Sequence, residues 1–216
     1  WYALFEARWR CWNGVIRFDR WAIVGGQKVV PIERRNPPYW VWNAGLGQLY
    51  ISAYHMASWS APAIVNAMRK ARVVYLWGYA SAMTELAREI LRQGLQPPPL
   101  RAVISNAEPL LEEQRAILRQ AFATRVVNTY GMAEMVAAAS ECERGTMHLW
   151  PEAGVVEVLD ENDQPCPPGK VGRLICTGLV NDVMPLVRFE VGDRGALASP
   201  QTRCPCGRTL PILELI

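Results

Sequence analysis

Residues 128–134 read NTYGMAE. An apolar run closes there, and a ring, a bare backbone and a carboxylate follow at once. Tyr130 offers a flat face to a base or an aryl group. Gly131 lets the backbone approach a ligand closely or adopt positive φ. Glu134 is a hard oxygen ligand, of the kind that holds Mg²⁺ beside phosphates. The plain alternative is a strand–loop–helix corner with a solvated glutamate. VISNAEPL (103–110) has the same layout, an apolar run followed by Asn106, Ala107, Glu108 and Pro109. Its plain alternative is a helix start with an acid near the positive dipole end. In VRFEVGD (187–193), Asp193 follows an expected strand and could accept hydrogen bonds from two ribose hydroxyls. A Gly-Asp turn is the alternative.

A second kind of chemistry is written in the cysteines. Cys142 is followed by His148, and Cys204 and Cys206 form a close pair later in the chain. One imidazole and three thiols make a four-ligand set that closes a structural zinc site, with no open position for catalysis. The alternative is four unrelated reduced residues. Cys11, Cys166 and Cys176 have no His partner nearby and read as core or loop thiols. His55 reads as packed or exposed rather than as a substrate contact.

The elements that must position these groups follow from periodicity. AIVGGQKVV (22–30) reads as a hairpin about Gly25–Gly26, and QLYISAYHM (48–56) as a strand. SAPAIVNAMRKA (60–71) reads as a helix with Ser60 as N-cap and Pro62 early, where a helix tolerates it. RVVYLWG (72–78) is β-rich. In YASAMTELAREILRQG (79–94), Met83, Leu86, Ala87, Ile90 and Leu91 share one helical face, and Gly94 suits a C-terminal cap. RAVIS (101–105), LLEEQRAILRQAF (110–122) and RVVNT (125–129) continue as strand, helix, strand. This alternation predicts an α/β fold with a mostly parallel sheet and helical crossovers. After Ala139 the chain turns β-rich: GVVEVLD (154–160), GRLICTGL (172–179) and MPLVRFEVGD (184–193) read as strands. The expected division is an α/β part, 1–139, and a β-rich part with the zinc clip, 140–216.

Bulk properties narrow the function classes. The chain has 216 residues, half of them hydrophobic, and a net charge of +3. A core is attainable without disulfides. The charge is too small to argue for nucleic acid or an anionic membrane surface. No apolar run approaches the roughly 20 residues of a membrane span. Without a signal peptide, the expected location is cytoplasmic. Trp1 and the final LPILELI suggest a piece of a longer protein.

Taken together, the order NAEP, YGMAE, a β-rich stretch and MPLVRFEVGD resembles the adenylate-forming enzymes. The pattern is closest to the phenylacetate–CoA ligase family, including members linked to capsule biosynthesis. The resemblance runs from about Glu6 to the end and includes the terminal CPCGRTLP. It implies a partial adenylate-forming large domain. It also implies a two-step reaction: a carboxylate, most simply an aryl acid such as phenylacetate, takes AMP from ATP, then passes its acyl group to coenzyme A. ATP, Mg²⁺ and coenzyme A are the implied cofactors, beside the zinc. Asn106, Ala107, Glu108 and Pro109 would line the adenine and aryl-acid pocket. Tyr130 would pack on adenine or acyl group, with Thr129, Gly131, Met132 and Arg188 in the same site. Glu134 would bind Mg²⁺ as the catalytic carboxylate, and Asp193 would hold the ribose. The partner is a small carboxylic acid; oligomeric state stays open, a homodimer among the options.

Four departures stand against the family pattern. The Ser/Thr-Gly-rich phosphate loop is not found, and neither is the small C-terminal domain with its lysine, so the chain alone is expected to be inactive. Glu190 stands where an arginine is usual, with Arg188 as a partial compensation. Ala133 lacks the usual hydroxyl. A zinc-stabilised, non-catalytic binding or regulatory homologue is therefore the competing reading. A dinucleotide-binding oxidoreductase would need a G-x-G-x-x-G after an early strand, and none is present.

Overall fold

The computed structural model describes residues 1–215. After a short helix, Tyr2–Leu4 (α1), the chain builds two compact units. One comprises Arg10–Val127; the other comprises Asn128–Ile216 together with Trp1–Trp9.

The first unit is the α/β one. Its strands are Trp21–Gly25 (β1), Trp40–Asn43 (β2), Gln48–Ser52 (β3), Tyr75–Gly78 (β4) and Ala102–Ser105 (β5), in the order β2-β3-β1-β4-β5. β1 pairs parallel with β3 and β4, and β4 with β5; the edge strand β2 is antiparallel. The crossovers are Ala61–Lys70 (α2), Ala80–Gln93 (α3) and Glu112–Phe122 (α4). On α3, Met83, Leu86, Ala87 and Ile90 are buried against Val24, Leu76 and Val103, each large side chain contributing about 2 kcal/mol. Leu91, expected on that face, is 37% exposed. Gly94 ends the helix in the left-handed conformation at φ 62°, as expected. The opposite face of the sheet packs Val15, Trp21, Tyr75, Ala102, Ile104 and Val127.

Three local expectations fail. Gly25–Gly26 makes no hairpin, because β1 is a central parallel strand with no adjacent partner in sequence. The glycines serve close approach instead. A Cβ at Gly25 would lie 2.2 Å from the Tyr50 hydroxyl. Ser60 does not cap α2 with its side chain. Its hydroxyl hydrogen-bonds the carbonyls of His55 and Ala57, fastening the turn before the helix. The strand expected over 48–56 stops at Ser52 and passes into a 3-10 turn that carries His55.

Gly78 brings β4 against β1: a Cβ there would lie 2.3 Å from the Val24 carbonyl oxygen. Backbone cannot step aside as a flexible side chain can. Gly78→Ala is therefore expected to destabilise the chain by about 3 kcal/mol, read from urea unfolding. An unchanged midpoint would show that the strands part more easily than their register implies.

Val126–Gly131 (β6) carries the chain from one unit to the next. Its last residues pair antiparallel with Ala138–Glu141 (β7), which pairs with Met147–Leu149 (β8). Gly154–Leu159 (β9), Gly172–Gly178 (β10), Phe189–Leu197 (β11) and Leu213–Leu215 (β12) form an antiparallel sheet ordered β12-β11-β10-β9. Val136, Ala139, Leu149, Val158, Leu174 and Cys176 are core residues of this unit. The architecture is thus a mostly parallel α/β sheet followed by β-rich structure. Among the described residues, no helix is long and apolar enough to cross a membrane.

Candidate active site and metal centre

Tyr130 and Gly131 are the last residues of β6, not a loop beyond it, because they pair with Ala139 and Ala138. Asp193 likewise lies inside β11 and does not follow its end. Gly192 takes φ 86° where the β10–β11 register shifts, so its turn signal is spent on a bulge within the strand. The two motifs meet: the Tyr130 hydroxyl donates to Asp193 Oδ2 at 2.7 Å. Burial first, and then this carboxylate, push the Tyr130 phenol up, so it stays a proton donor. Cys176 nearby is pushed up to about 11, chiefly by burial and then by Asp193, and is a neutral thiol.

After β6 the chain turns tightly. Met135 N donates to Met132 O at 3.2 Å, and Met135 itself is left-handed at φ 55°. Thr129 is buried, Met132 and Glu134 are half-buried, and Gly131 is exposed. The Glu134 carboxylate makes no hydrogen bond or ion pair among the described residues. A half-buried carboxylate without a partner is suited to an incoming cation.

Charge around β11 is arranged differently from expectation. Arg188 does not compensate Glu190. Its guanidinium binds Glu157 through both Nε (3.1 Å) and Nη2 (3.3 Å). Glu190 instead pairs with Arg173 on β10, at 2.8 Å, an arginine it shares with Asp163 and Glu161. The reversed charge thus joins a network of carboxylates around one arginine of a neighbouring strand.

In the α/β unit, Asn106, Ala107, Glu108 and Pro109 follow β5 directly. Ala107 is left-handed at φ 63°. Asn106 N donates to Gly78 O at 3.1 Å, continuing the β4–β5 ladder. Glu108 is already engaged: its carboxylate accepts from Ser81 N (2.9 Å) and the Ser81 hydroxyl (3.0 Å). It satisfies the open N-terminus of α3, not that of the helix which follows it. No spacing rule links residues so far apart in sequence.

The cysteine cluster assembles as a set. Cys142 follows β7, His148 lies in β8, and Cys204 and Cys206 lie between β11 and β12. Their four ligand atoms lie within 4.8 Å of one another. Cys142 Sγ and Cys204 Sγ are 3.8 Å apart, and Cys206 Sγ and His148 Nε2 are 3.4 Å apart. Ideal tetrahedral zinc needs about 3.8 Å between sulfurs and about 3.5 Å between sulfur and nitrogen, from its usual bond lengths. His148 Nδ1 lies 3.4 Å from the Leu210 carbonyl, which leaves Nε2 as the ligand atom. Backbone amides of Arg144 and Arg208 point at Cys142 Sγ (3.4 Å) and Cys206 Sγ (3.5 Å), stabilising thiolates. Burial opposes ionisation of Cys204. Hydrogen bonds with Thr146, Cys206 and His148 outweigh it and bring that thiol down to about 6. Burial raises Cys142. The donor set and its spacing fit zinc.

His55 is packed: it stacks on Tyr39, and its Nδ1 lies 2.8 Å from the Ser52 hydroxyl. It is not among the groups gathered at these motifs.

The family model described as AMP-binding enzyme matches residues 22–184. Protein CapK of Staphylococcus aureus is 30% identical over 183 residues, covering 84% of this chain and 39% of CapK. Phenylacetate-coenzyme A ligase of Thermus thermophilus is 34% identical over 131 residues, covering 57% of this chain and 29% of that ligase. A crystal structure of 2-hydroxyisobutyryl-CoA ligase with 2-HIB-AMP and CoA shares the fold. Its TM-score is 0.68 at 21% identity, over 94% of this chain and 48% of that one. The chain thus spans less than half the length of each of these proteins. On the family match over most of its length, this chain belongs to the AMP-binding enzyme family.

Proposed function

We propose that the full-length protein is an acyl-adenylating acid–thiol ligase acting on a small aryl acid such as phenylacetate. A carboxylate oxygen attacks the α-phosphorus of ATP, and pyrophosphate leaves. The sulfur of coenzyme A then attacks the acyl carbon, and AMP leaves. The protein's part in both steps is positioning and charge stabilisation.

The observation that carries this reading is the meeting of Tyr130 and Asp193, two motif residues far apart in sequence; Glu134, four residues after Tyr130, has no hydrogen bond or ion pair among the described residues. Asp193 accepts from the ribose hydroxyls, Tyr130 and Met132 pack against the base or acyl group, and Glu134 holds Mg²⁺ on the phosphates. Thr129, Gly131 and Arg188 shape the surrounding wall. Asn106, Ala107, Glu108 and Pro109 line the acid and adenine side, with Glu108 acting through its hold on α3. Cys142, His148, Cys204 and Cys206 hold a structural zinc ion that fastens the β11–β12 connection to β7 and β8.

The test is carboxylate-dependent exchange of pyrophosphate into ATP by the full-length protein, across aryl and alkyl acids. Exchange with one acid class is expected; none with any acid, from a folded protein, removes the proposal. Asp193→Ala is expected to weaken ATP binding about 10- to 100-fold, the loss of a charge-assisted hydrogen bond or two, measured by calorimetry. Unchanged affinity would remove Asp193 from the nucleotide site.

A further inference from the structure

The parallel strands of the α/β unit end along one edge, where open α/β sheets take their ligands. Just past the ends of β1, β3 and β4 lies an open depression of about 360 Å³. Its lining includes Gly26, Tyr54, Met56, Tyr79, Ser81 and Glu85, completed by the methyls of Ala53 and Ala82. The volume suits a single small ring and its substituents.

Three tyrosines converge on the Gly25–Gly26 corner. The Tyr50 hydroxyl accepts from Gln27 N at 3.3 Å. The Tyr54 hydroxyl donates to Gly26 O at 2.9 Å. The Tyr79 ring lies over Gly26, where a Cβ would come within 3.2 Å of it. The Tyr79 hydroxyl makes no hydrogen bond among the described residues. The other polar groups of the lining are accounted for. Ser81 gives its hydroxyl proton to Glu108. Glu85, paired with Arg88, is the one charged residue of the lining among the described residues.

Resting on the ligase reading above, we infer that this cavity holds the acyl group and selects an aryl monocarboxylic acid whose ring carries a hydroxyl or amino substituent. The aromatic and methyl walls take the ring. Tyr79 supplies the uncommitted phenol that pairs with the substituent, and Glu85 accepts a further proton from it. A second carboxylate on the ring would meet the Glu85 carboxylate, whose partner Arg88 is not among the lining residues. Tyr79 and Glu85 are the residues that set this preference.

The experiment measures binding of phenylacetate, 4-hydroxyphenylacetate and 4-carboxyphenylacetate to the full-length protein by ligand-observed NMR. Pyrophosphate exchange is followed with the same acids. The hydroxy acid is expected to bind about tenfold more tightly than phenylacetate, the value of one net hydrogen bond. The dicarboxylate is expected to bind at least about tenfold more weakly. Tyr79→Phe keeps the ring over Gly26 and should erase the hydroxy preference while phenylacetate still binds. Ala82→Leu, which fills the cavity from α3, should weaken all three. Equal affinities, or a preference that survives Tyr79→Phe, overturn the inference. Exchange driven equally by all three acids overturns it and leaves the ligase reading standing. Selective binding without any exchange supports the cavity and counts against the ligase reading.

Discussion

Glu134→Gln is expected to lower carboxylate-dependent ATP–pyrophosphate exchange at least about 100-fold, at saturating acid. Glutamine keeps the size and one oxygen of the side chain but removes its charge. Glu134 is half-buried and pairs with nothing described, so the substitution breaks no interaction that holds the fold. Stability should therefore change by less than about 0.5 kcal/mol. That separation makes the result readable: activity falls and the melting curve does not move. Raised Mg²⁺ should recover part of the lost rate. Full activity in the variant would mean that the metal is held by another group, and that Glu134 is only the polar tip of a turn.

The second large effect is expected from the cysteine cluster. The purified protein should carry one zinc ion per chain, measured by elemental analysis. Removing it with a chelator, or by Cys206→Ser, should lower the melting temperature by about 10 °C. Several kcal/mol of metal binding is lost from the folded state, at about 2–4 °C per kcal/mol for a chain of this size. Metal binding requires deprotonated thiols, so acid should release zinc and the stabilisation should fade as pH drops. A protein with no bound metal and an unmoved melting curve would reduce the cluster to four buried thiol and imidazole groups.

The sequence made some of these features plain and hid others, for physical reasons. Helices α3 and α4 were legible because amphipathic periodicity is a property of a contiguous segment. The gathering of Cys142, His148, Cys204 and Cys206 was legible because a Cys and His composition is rare enough to stand out. Tyr130 and Asp193 were legible as residues but not as strand residues. Tyr130 pairs with Ala139, and Asp193 lies where β11 shifts register against β10; both partners lie outside any local window. Gly25–Gly26 carried a turn signal because glycine answers two needs, positive φ and close approach, and only the fold shows which one applies. The tyrosine cavity had no signature. Tyr54 and Tyr79 come from different strand ends, and an aromatic residue after a strand is too common to single out.

The hydrogen bonds between Ser81 and Glu108 join two stretches that an engineer would otherwise vary independently. Ser81 lines the acyl cavity, and Glu108 belongs to the NAEP motif. A library that randomises Ser81 to reshape the cavity would strip Glu108 of a donor and loosen the start of α3. A change at Glu108 would free Ser81 and alter the cavity without touching it. New specificities should therefore be reached in paired steps, with substitutions at both positions chosen together. A double-mutant cycle across the pair would show non-additive effects on acid preference as well as on stability.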